Sequence, residues 1–284
     1  MEISRGELLQ LRDVIQGYSG IRLEESKLEF LKDRLIPVAR AHGASSMAAF
    51  SQMLLREMAF NTLKAWNDLM PLVTINETYF FREMNQLELF KNELLPELVR
   101  HKTNRTLRIL SAPCSSGEEP YTIAMLMDEA PVSLAGWQVE IWGVDIDGPV
   151  IQKAQSGLYP RSAFRATDGK YLSKYFLPEG DLYRVGSRLA GRVKFKQGNL
   201  FEMGKWPGFT GFDVIFCRNM LIYFDKPTQK RMVEIFHRAM VPGGYLLIGH
   251  SESLLSLEVD FMLKSNKQAI YYEAMDPSKQ VRHG

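Results

Sequence analysis

Two adjacent carboxylates, Glu118 and Glu119, open a helix directly after a short buried strand, in the stretch LRILSAPCSSGEEPYTIAMLM from Leu107 to Met127. Leu107, Ile109 and Leu110 suit the strand, and the small residues around Gly117 suit a turn. Pro120 fits the first helical turn, where its missing N–H costs nothing. Ile123, Ala124 and Met127 then recur at helical spacing. Strand, small-residue turn and helix start make the first half of a nucleotide-binding βαβ unit, although the turn lacks the GxGxxG spacing. The two acids can simply answer the helix dipole. They would also repel a pyrophosphate brought to the same place, so a ligand with an ammonium or sulfonium group is the better guest.

Further chemistry lies at the ends of the other apolar runs. WQVEIWGVDID (137–147) reads as a second strand ending in Asp145 and Asp147. An acid about twenty to thirty residues past the first turn is placed to grip a ribose hydroxyl, and a second acid can cap the following helix. Phe212–Cys217 is a continuous apolar run, as expected of a central parallel strand. It empties into Arg218-Asn219-Met220-Leu221-Ile222-Tyr223-Phe224, and residues just past such strands line the ligand crevice. Tyr245–Ile248 reads as a further strand with Gly249-His250-Ser251-Glu252 at its end, where a lone histidine is more often structural. Ahead of all these, LVTINETYFFR (72–82) is dense in groups able to touch a ligand: Asn76, Thr78, three aromatics and the fixed cation Arg82. The same aromatics could instead plug a seam between domains.

The elements that must position these residues follow from periodicity. The first seventy or so residues read as four short amphipathic helices in a compact bundle. Leu8, Leu11, Ile15 and Tyr18 mark the first, ending near Gly17 and Gly20. Leu28, Leu31, Leu35 and Val38 mark the second, ending at His42-Gly43. Ser45 or Ser46 can cap a third with Phe50, Met53, Leu54 and Met58 inward, and Asn61 a fourth that stops near Pro71. Through Asn76 there are nine basic and nine acidic side chains, so the bundle carries no net field, although Lys27, Lys32, Arg34 and Arg40 cluster on the second helix. Leu87, Phe90, Leu94 and Leu98 predict a helix bent or restarted at Pro96. Between Tyr159 and Phe195 the α/β rhythm breaks. A weak helix near Tyr171–Tyr175 and two strand-like runs, Leu182–Val185 and Arg192–Lys196, predict a small β-hairpin insertion. Gln268–Tyr272 reads as an edge strand, and the tail from Pro277 as disordered.

The expected architecture is therefore α/β: a doubly wound, Rossmann-like domain with a small β-hairpin insertion, preceded by a small all-helical domain. Its parts are a helical bundle over 1–72, a linker over 73–86, the α/β domain over 87–275 with the insertion at about 159–196, and a tail over 276–284. With 284 residues and 45% hydrophobic side chains the chain has ample core. A formal charge of +2 argues against nucleic acid as a partner. Two cysteines, Cys114 and Cys217, give neither a disulfide framework nor a metal set. MEISRGELLQ has no apolar signal-peptide core, and no apolar run approaches bilayer length, so a cytoplasmic protein without membrane insertion is expected.

An acidic first turn with an acid after strand two resembles the class I S-adenosylmethionine-dependent methyltransferases. The motifs TINETYFFR (74–82), SAPCSSGEEPYTIA (111–124), FCRNMLIYFD (216–225) and PGGYLLIGHSE (242–252) resemble the CheR family of chemotaxis receptor methyltransferases, over essentially the whole chain. The resemblance implies methyl transfer from S-adenosyl-L-methionine to glutamate side chains on the cytoplasmic helices of methyl-accepting chemotaxis receptors, with S-adenosyl-L-homocysteine as product. A monomeric enzyme is expected. Asn76, Thr78 and Arg82 match family positions around the cofactor. Glu119, with Glu118 beside it, matches the acid near its amino group, and Asp145 the ribose acid. Asn199-Leu200 and Asn219-Met220 match the loops around the adenosyl group, and Arg82 and Tyr223 the pair nearest the transferred methyl. The hairpin at 182–196 matches a subdomain that in some relatives holds a receptor C-terminal peptide. The competing readings are a nicotinamide oxidoreductase, against which the acidic turn argues, a methyltransferase for another substrate, and a non-catalytic cofactor-binding module.

Overall fold

A computed structural model describes residues 3–60, 62–266 and 269–276. The expected cap Asn61, the expected strand start Gln268 and the tail from Pro277 lie outside the described residues.

Four helices come first: α1 (Arg5–Ser19), α2 (Glu25–Ala41), α3 (Met47–Phe60) and α4 (Lys64–Val73). Ser4 and Glu7 form a reciprocal capping box at the start of α1, and Gly20 ends it in the left-handed conformation. Gly20 also permits close approach, because a Cβ there would meet the Phe201 ring at 2.8 Å. Ser46, not Ser45, caps α3 through its hydroxyl to the Ala49 N–H (3.1 Å). The buried stripes meet around Leu11, Ile15, Leu28, Leu35, Phe50, Leu54 and Trp66. One expectation fails here. Met58 lies on the exposed face of α3, with Leu54 closing the buried stripe. The fourth helix stops near Pro71 as expected, at Val73, since a proline in the last turn forfeits only one ladder bond.

After a helix-free segment from 74 to 83 come α5 (Met84–Leu89), a π-helical turn (Phe90–Leu94) and α6 (Leu95–His101). The irregularity thus precedes Pro96. Leu95 N–H bonds the Phe90 carbonyl, and Pro96 occupies the start of α6, where it needs no donor.

The remaining strands are β1 (Thr106–Ser111), β2 (Gln138–Asp145), β3 (Leu158–Pro160), β4 (Phe176–Glu179), β5 (Leu182–Val185), β6 (Val193–Gln197), β7 (Phe212–Cys217), β8 (Met240–Ile248), β9 (Phe261–Ser265) and β10 (Ile270–Ala274). Seven of them form one sheet in the order β6-β2-β1-β7-β8-β10-β9. The first five in that order run parallel, β10 runs antiparallel to β8, and β9, antiparallel to β10, runs in the direction of the first five. Helices α7 (Glu118–Asp128), α8 (Gly148–Ser156) and α11 (Lys226–Ala239) connect the parallel strands, and the short α9 (Gly169–Tyr175) and α10 (Ser187–Ala190) lie between α8 and β6. The chain moves outward from β1 to β2 and β6, then returns to β7 beside β1. That reversal opens a crevice at the carboxyl ends of β1 and β7.

The expected hairpin is corrected. β5 pairs with β4 across the two-residue turn Gly180-Asp181, and with β3 on its other side. Gly180 takes φ +59, as the first position of such tight hairpin turns demands. The run at 192–196 contributes instead to β6, which pairs parallel to β2 in the main sheet, and the GSRLAG connection holds the short helix α10 (Ser187–Ala190). The expected extent of 159–196 therefore includes a strand of the main sheet. A second correction concerns the last strand: β10 lies inside the sheet, and β9 forms the edge.

Candidate active site

One cleft opens at the crevice, with walls drawn from segments that follow parallel strands. Residues 113–115 and Glu119 come after β1, Asp145 and Ile146 end β2, Gly198–Phe201 follow β6, and Arg218–Met220 with Ile222–Phe224 follow β7. The linker from Thr74 to Arg82 crosses the cleft, and Ser19, Ile21 and Val73 of the bundle close one side. The bundle is fastened there. Gln16 Nε2 donates to Asp225 (2.9 Å), Arg22 N–H to the Tyr223 carbonyl (2.9 Å), and Asn199 Nδ2 to the Tyr18 carbonyl (2.6 Å).

Asp145 sits at the end of β2, 3% exposed. Its two oxygens accept the backbone N–H groups of Asp147 (3.0 Å) and Ser115 (2.8 Å), which leaves further lone pairs for ligand hydroxyls. Burial lifts its carboxyl to about 6, against the pull of those backbone donors. Asp147 begins α8 but makes no capping bond. Its Oδ2 instead accepts Thr74 Oγ1 (2.9 Å) and Asn76 Nδ2 (2.7 Å), pinning the linker.

The two acids of the opening motif part company. Successive residues of a helix point about 100° apart, so only one faces the cleft. Glu119 lines it, accepting Ser111 Oγ (2.7 Å) and Arg218 Nη1 (2.7 Å). Glu118 does not line it. Its carboxyl is 1% exposed, bonded to Ser116 Oγ at 2.8–3.0 Å, and raised by burial. The cofactor contact expected at Glu118 is therefore corrected to a buried turn-closing bond.

Arg218 is 5% exposed and forms a node. Besides Glu119 it contacts the Arg82 carbonyl through Nη2 (2.5 Å) and Glu83 (3.3 Å). Burial works against the Glu83 carboxylate, but Arg218, His250 and Asn219 outweigh it and hold the group down at about 2. Two carboxylates thus share one guanidinium, so with Asp145 ionised the cleft floor keeps a negative excess.

The remaining expected residues are brought to the same cleft in different ways. Asn76, Thr78, Leu200 and Met220 line it. Asn199 lines it too, but its amide is committed to Tyr18 and to the Phe201 N–H (3.0 Å). Asn219 takes φ +60, donates Nδ2 to Glu83 (3.0 Å), and donates its backbone N–H to Glu252 (3.0 Å). Arg82 and Tyr223 both line the cleft and are partly exposed. Burial raises the Tyr223 phenol, and the nearby Arg82 charge opposes that. Arg82 Nη1 donates to the Glu77 carbonyl (2.5 Å), engaging one of its five donors.

The linker aromatics serve as anchors. Phe80 is fully buried, stacked on Phe164 (4.9 Å) and edge-on to Tyr159 (4.8 Å) and Phe176 (5.0 Å). Phe81 packs on Tyr171 at 4.5 Å. Among the described residues, five non-glycine residues take φ between +47 and +61, of which Phe81, Ser115 and Asn219 line this cleft and Glu83 adjoins Arg82. Backbone of that kind persists only where its surroundings over-determine it, as at functional sites.

Arg218 as a buried node and Glu83 have no role assigned from sequence, and Asp147, expected as a helix cap, pins the linker instead. The usable signal was the charge doublet Arg82-Glu83 directly after the aromatics, and an arginine at the end of an otherwise apolar strand.

The chain matches the family model described as CheR methyltransferase, SAM binding domain, over residues 76–270. It belongs to the CheR methyltransferase family. It is 35% identical to chemotaxis protein methyltransferase 2 of Vibrio cholerae, over 95% of this chain and 93% of that one. Chemotaxis protein methyltransferase of Salmonella typhimurium is 33% identical, over 97% and 93%. The probable biofilm formation methyltransferase WspC of Pseudomonas aeruginosa is 38% identical, over 66% of this chain and 44% of that one. The CheR chain is thus a methyltransferase whose cofactor is S-adenosylmethionine, bound by an α/β domain with a helical segment ahead of it. No described helix is long and apolar enough to cross a membrane.

The donor set of the cleft fits that cofactor. A buried acid with spare lone pairs at the end of β2 suits ribose hydroxyls. Apolar Ile146, Leu200, Phe201 and Met220 suit a flat base, and the acidic node around Glu119 suits a cationic amino acid portion.

Proposed function

We propose that this CheR protein methylates glutamate side chains on the cytoplasmic helices of chemoreceptors, forming glutamate methyl esters. The observation that carries this reading is a cleft in which Arg218 is neutralised by Glu119 and Glu83, leaving a negative floor, while Arg82 and Tyr223 line the same cleft partly exposed. Asp145 and Glu119 hold the ribose and amino ends of S-adenosylmethionine, and Asn76, Thr78, Leu200, Asn219 and Met220 enclose it. The cofactor supplies a methyl group already activated by its sulfonium.

The acceptor carboxylate, with a reference pKa of about 4.3, arrives ionised near neutral pH, so no general base is needed. What remains is positioning, because the attacking oxygen must stand about 3–3.5 Å from the methyl carbon, in line with the bond that breaks. Arg82 can hold a carboxylate in a two-point grip. Its charge also favours the ionised reactant over the neutral ester, so its benefit is orientation. Tyr223 lines the same approach with a phenol that burial keeps protonated.

Substitution of Arg82 by Ala tests the reading. Methyl transfer to receptor-bearing membranes is expected to vanish, while affinity for S-adenosylhomocysteine falls far less. Wild-type turnover in Arg82→Ala would remove Arg82 from the mechanism.

A further inference from the structure

Glu83 follows Arg82 in the linker and takes φ +56, two residues after Phe81 at φ +61. Its side chain is 14% exposed and is a meeting point for donors from two strand ends. From the end of β7 come Arg218 Nη2 (3.3 Å) and Asn219 Nδ2 (3.0 Å). From the end of β8 come the His250 backbone N–H (3.2 Å) and, 3.0 Å away, His250 Nδ1. The same Arg218 Nη2 also grips the Arg82 carbonyl. Glu252 completes the frame, accepting the backbone N–H groups of Asn219 and Gly249 (2.6 Å). The backbone that carries the Arg82 side chain is therefore held, at the Arg82 carbonyl and the Glu83 carboxylate, by groups that also line or border the cofactor cleft.

Left-handed backbone is costly for a bulky residue and persists only where its surroundings hold it. Phe81 is kept there by Tyr171 and by its N–H to Thr122 Oγ1 (3.3 Å). Glu83 has its carboxylate for the same purpose. Released, residue 83 would return to negative φ and re-aim the chain that carries Arg82.

We propose that Glu83 is a positioning residue for methyl transfer: through Arg218, Asn219 and His250 it locks the linker in the left-handed conformation that presents the Arg82 guanidinium to the cleft. The proposal deepens the reading of Arg82 as the group that orients the acceptor carboxylate, and rests on it. Glu83 touches no substrate, so its effect must travel through Arg82.

The test uses the full chain with Glu83→Ala, Glu83→Gln and Arg82→Lys, alone and combined, and Arg82→Ala as control. Calorimetry with S-adenosylhomocysteine counts binding-competent sites. Turnover is measured on receptor-bearing membranes and expressed per competent site. Glu83→Ala is expected to lower kcat by about 10²-fold, the scale of a misplaced catalytic group, with KM for the receptor changed much less. Glu83→Gln, which still accepts the Asn219 amide, recovers part of that loss. In the Arg82→Lys background, Glu83→Ala costs clearly less than in the wild type, because the two residues act as one unit.

Wild-type kcat per competent site in Glu83→Ala and Glu83→Gln, or a loss that multiplies fully in the Arg82→Lys background, would overturn the proposal. If Arg82→Ala is inactive in that case, only the role of Glu83 falls. If Arg82→Ala is fully active, the reading of Arg82 falls and the proposal with it.

Discussion

The helical bundle and the linker that leaves it are adjacent in sequence and held together by opposite means. The bundle stands on apolar stripes, Leu11, Ile15, Leu35, Phe50 and Leu54 among them, all at 0% exposure, with ordinary caps at its ends. The linker from Thr74 to Glu83 buries Phe80 and Phe81 but is otherwise fixed by polar bonds to Asp147, Ser115 and Arg218. It also carries two of the molecule's left-handed non-glycine residues. Apolar packing is non-directional and tolerates small shifts at a cost in stability. Polar clamps are directional, so errors there cost geometry. The bundle should therefore govern how much protein is folded, and the linker how well each folded molecule works.

Arg82→Lys sharpens the contrast most. It keeps the charge but loses the two-point grip, and turnover is expected to fall at least ~10-fold with little change in thermal stability. A loss of stability matching the loss of rate would erase the distinction between the regions. In the bundle, Phe50→Ala should remove about 3–5 kcal/mol of folding stability by chemical denaturation, while kcat per folded molecule stays at the wild-type value. A large drop in that kcat would mean the bundle core also shapes the site.

Asp145 lies between the two cases, as a polar group under the linker. With the proposed hydrogen bonds to the ribose removed, Asp145→Ala should weaken cofactor binding by about 1.5–3 kcal/mol in calorimetry. The sign of its pH dependence follows from burial. The carboxyl of the free protein is raised to about 6, so it is ionised above that pH and protonated below it. The ionised form makes the stronger bonds to hydroxyls, so affinity should fall as pH drops through about 6. In Asp145→Ala that dependence should flatten; its persistence would assign it to another group. The smallest effect belongs to Ser4→Ala, which breaks the capping box of α1 and should cost about 1 kcal/mol of stability with no effect on turnover.

Legibility in the sequence follows the same division. The bundle helices could be read because their burial repeats every three or four residues, and the reading failed at Met58, where a stripe ends. The parallel strands β1, β2 and β7 and the crevice beyond them could be read from apolar runs that end in polar residues. The partner of Leu182–Val185 could not. An alternating run such as Arg192–Lys196 suits a hairpin and a sheet edge equally, and pairing to β2 is set by distant contacts. Glu118 and Glu119 look alike in a string, and only the helix phase separates them. Arg218 read as a loop residue because arginine is rarely buried without a partner, and its partners, Glu119 and Glu83, lie far away in the chain.

The central claim is that this CheR protein esterifies glutamate. Methyl-labelled S-adenosylmethionine incubated with the enzyme and receptor-bearing membranes should place label on the receptor that alkali releases as volatile methanol, and Arg82→Ala should place none. Label that survives alkali, or label that appears equally with Arg82→Ala, would contradict it.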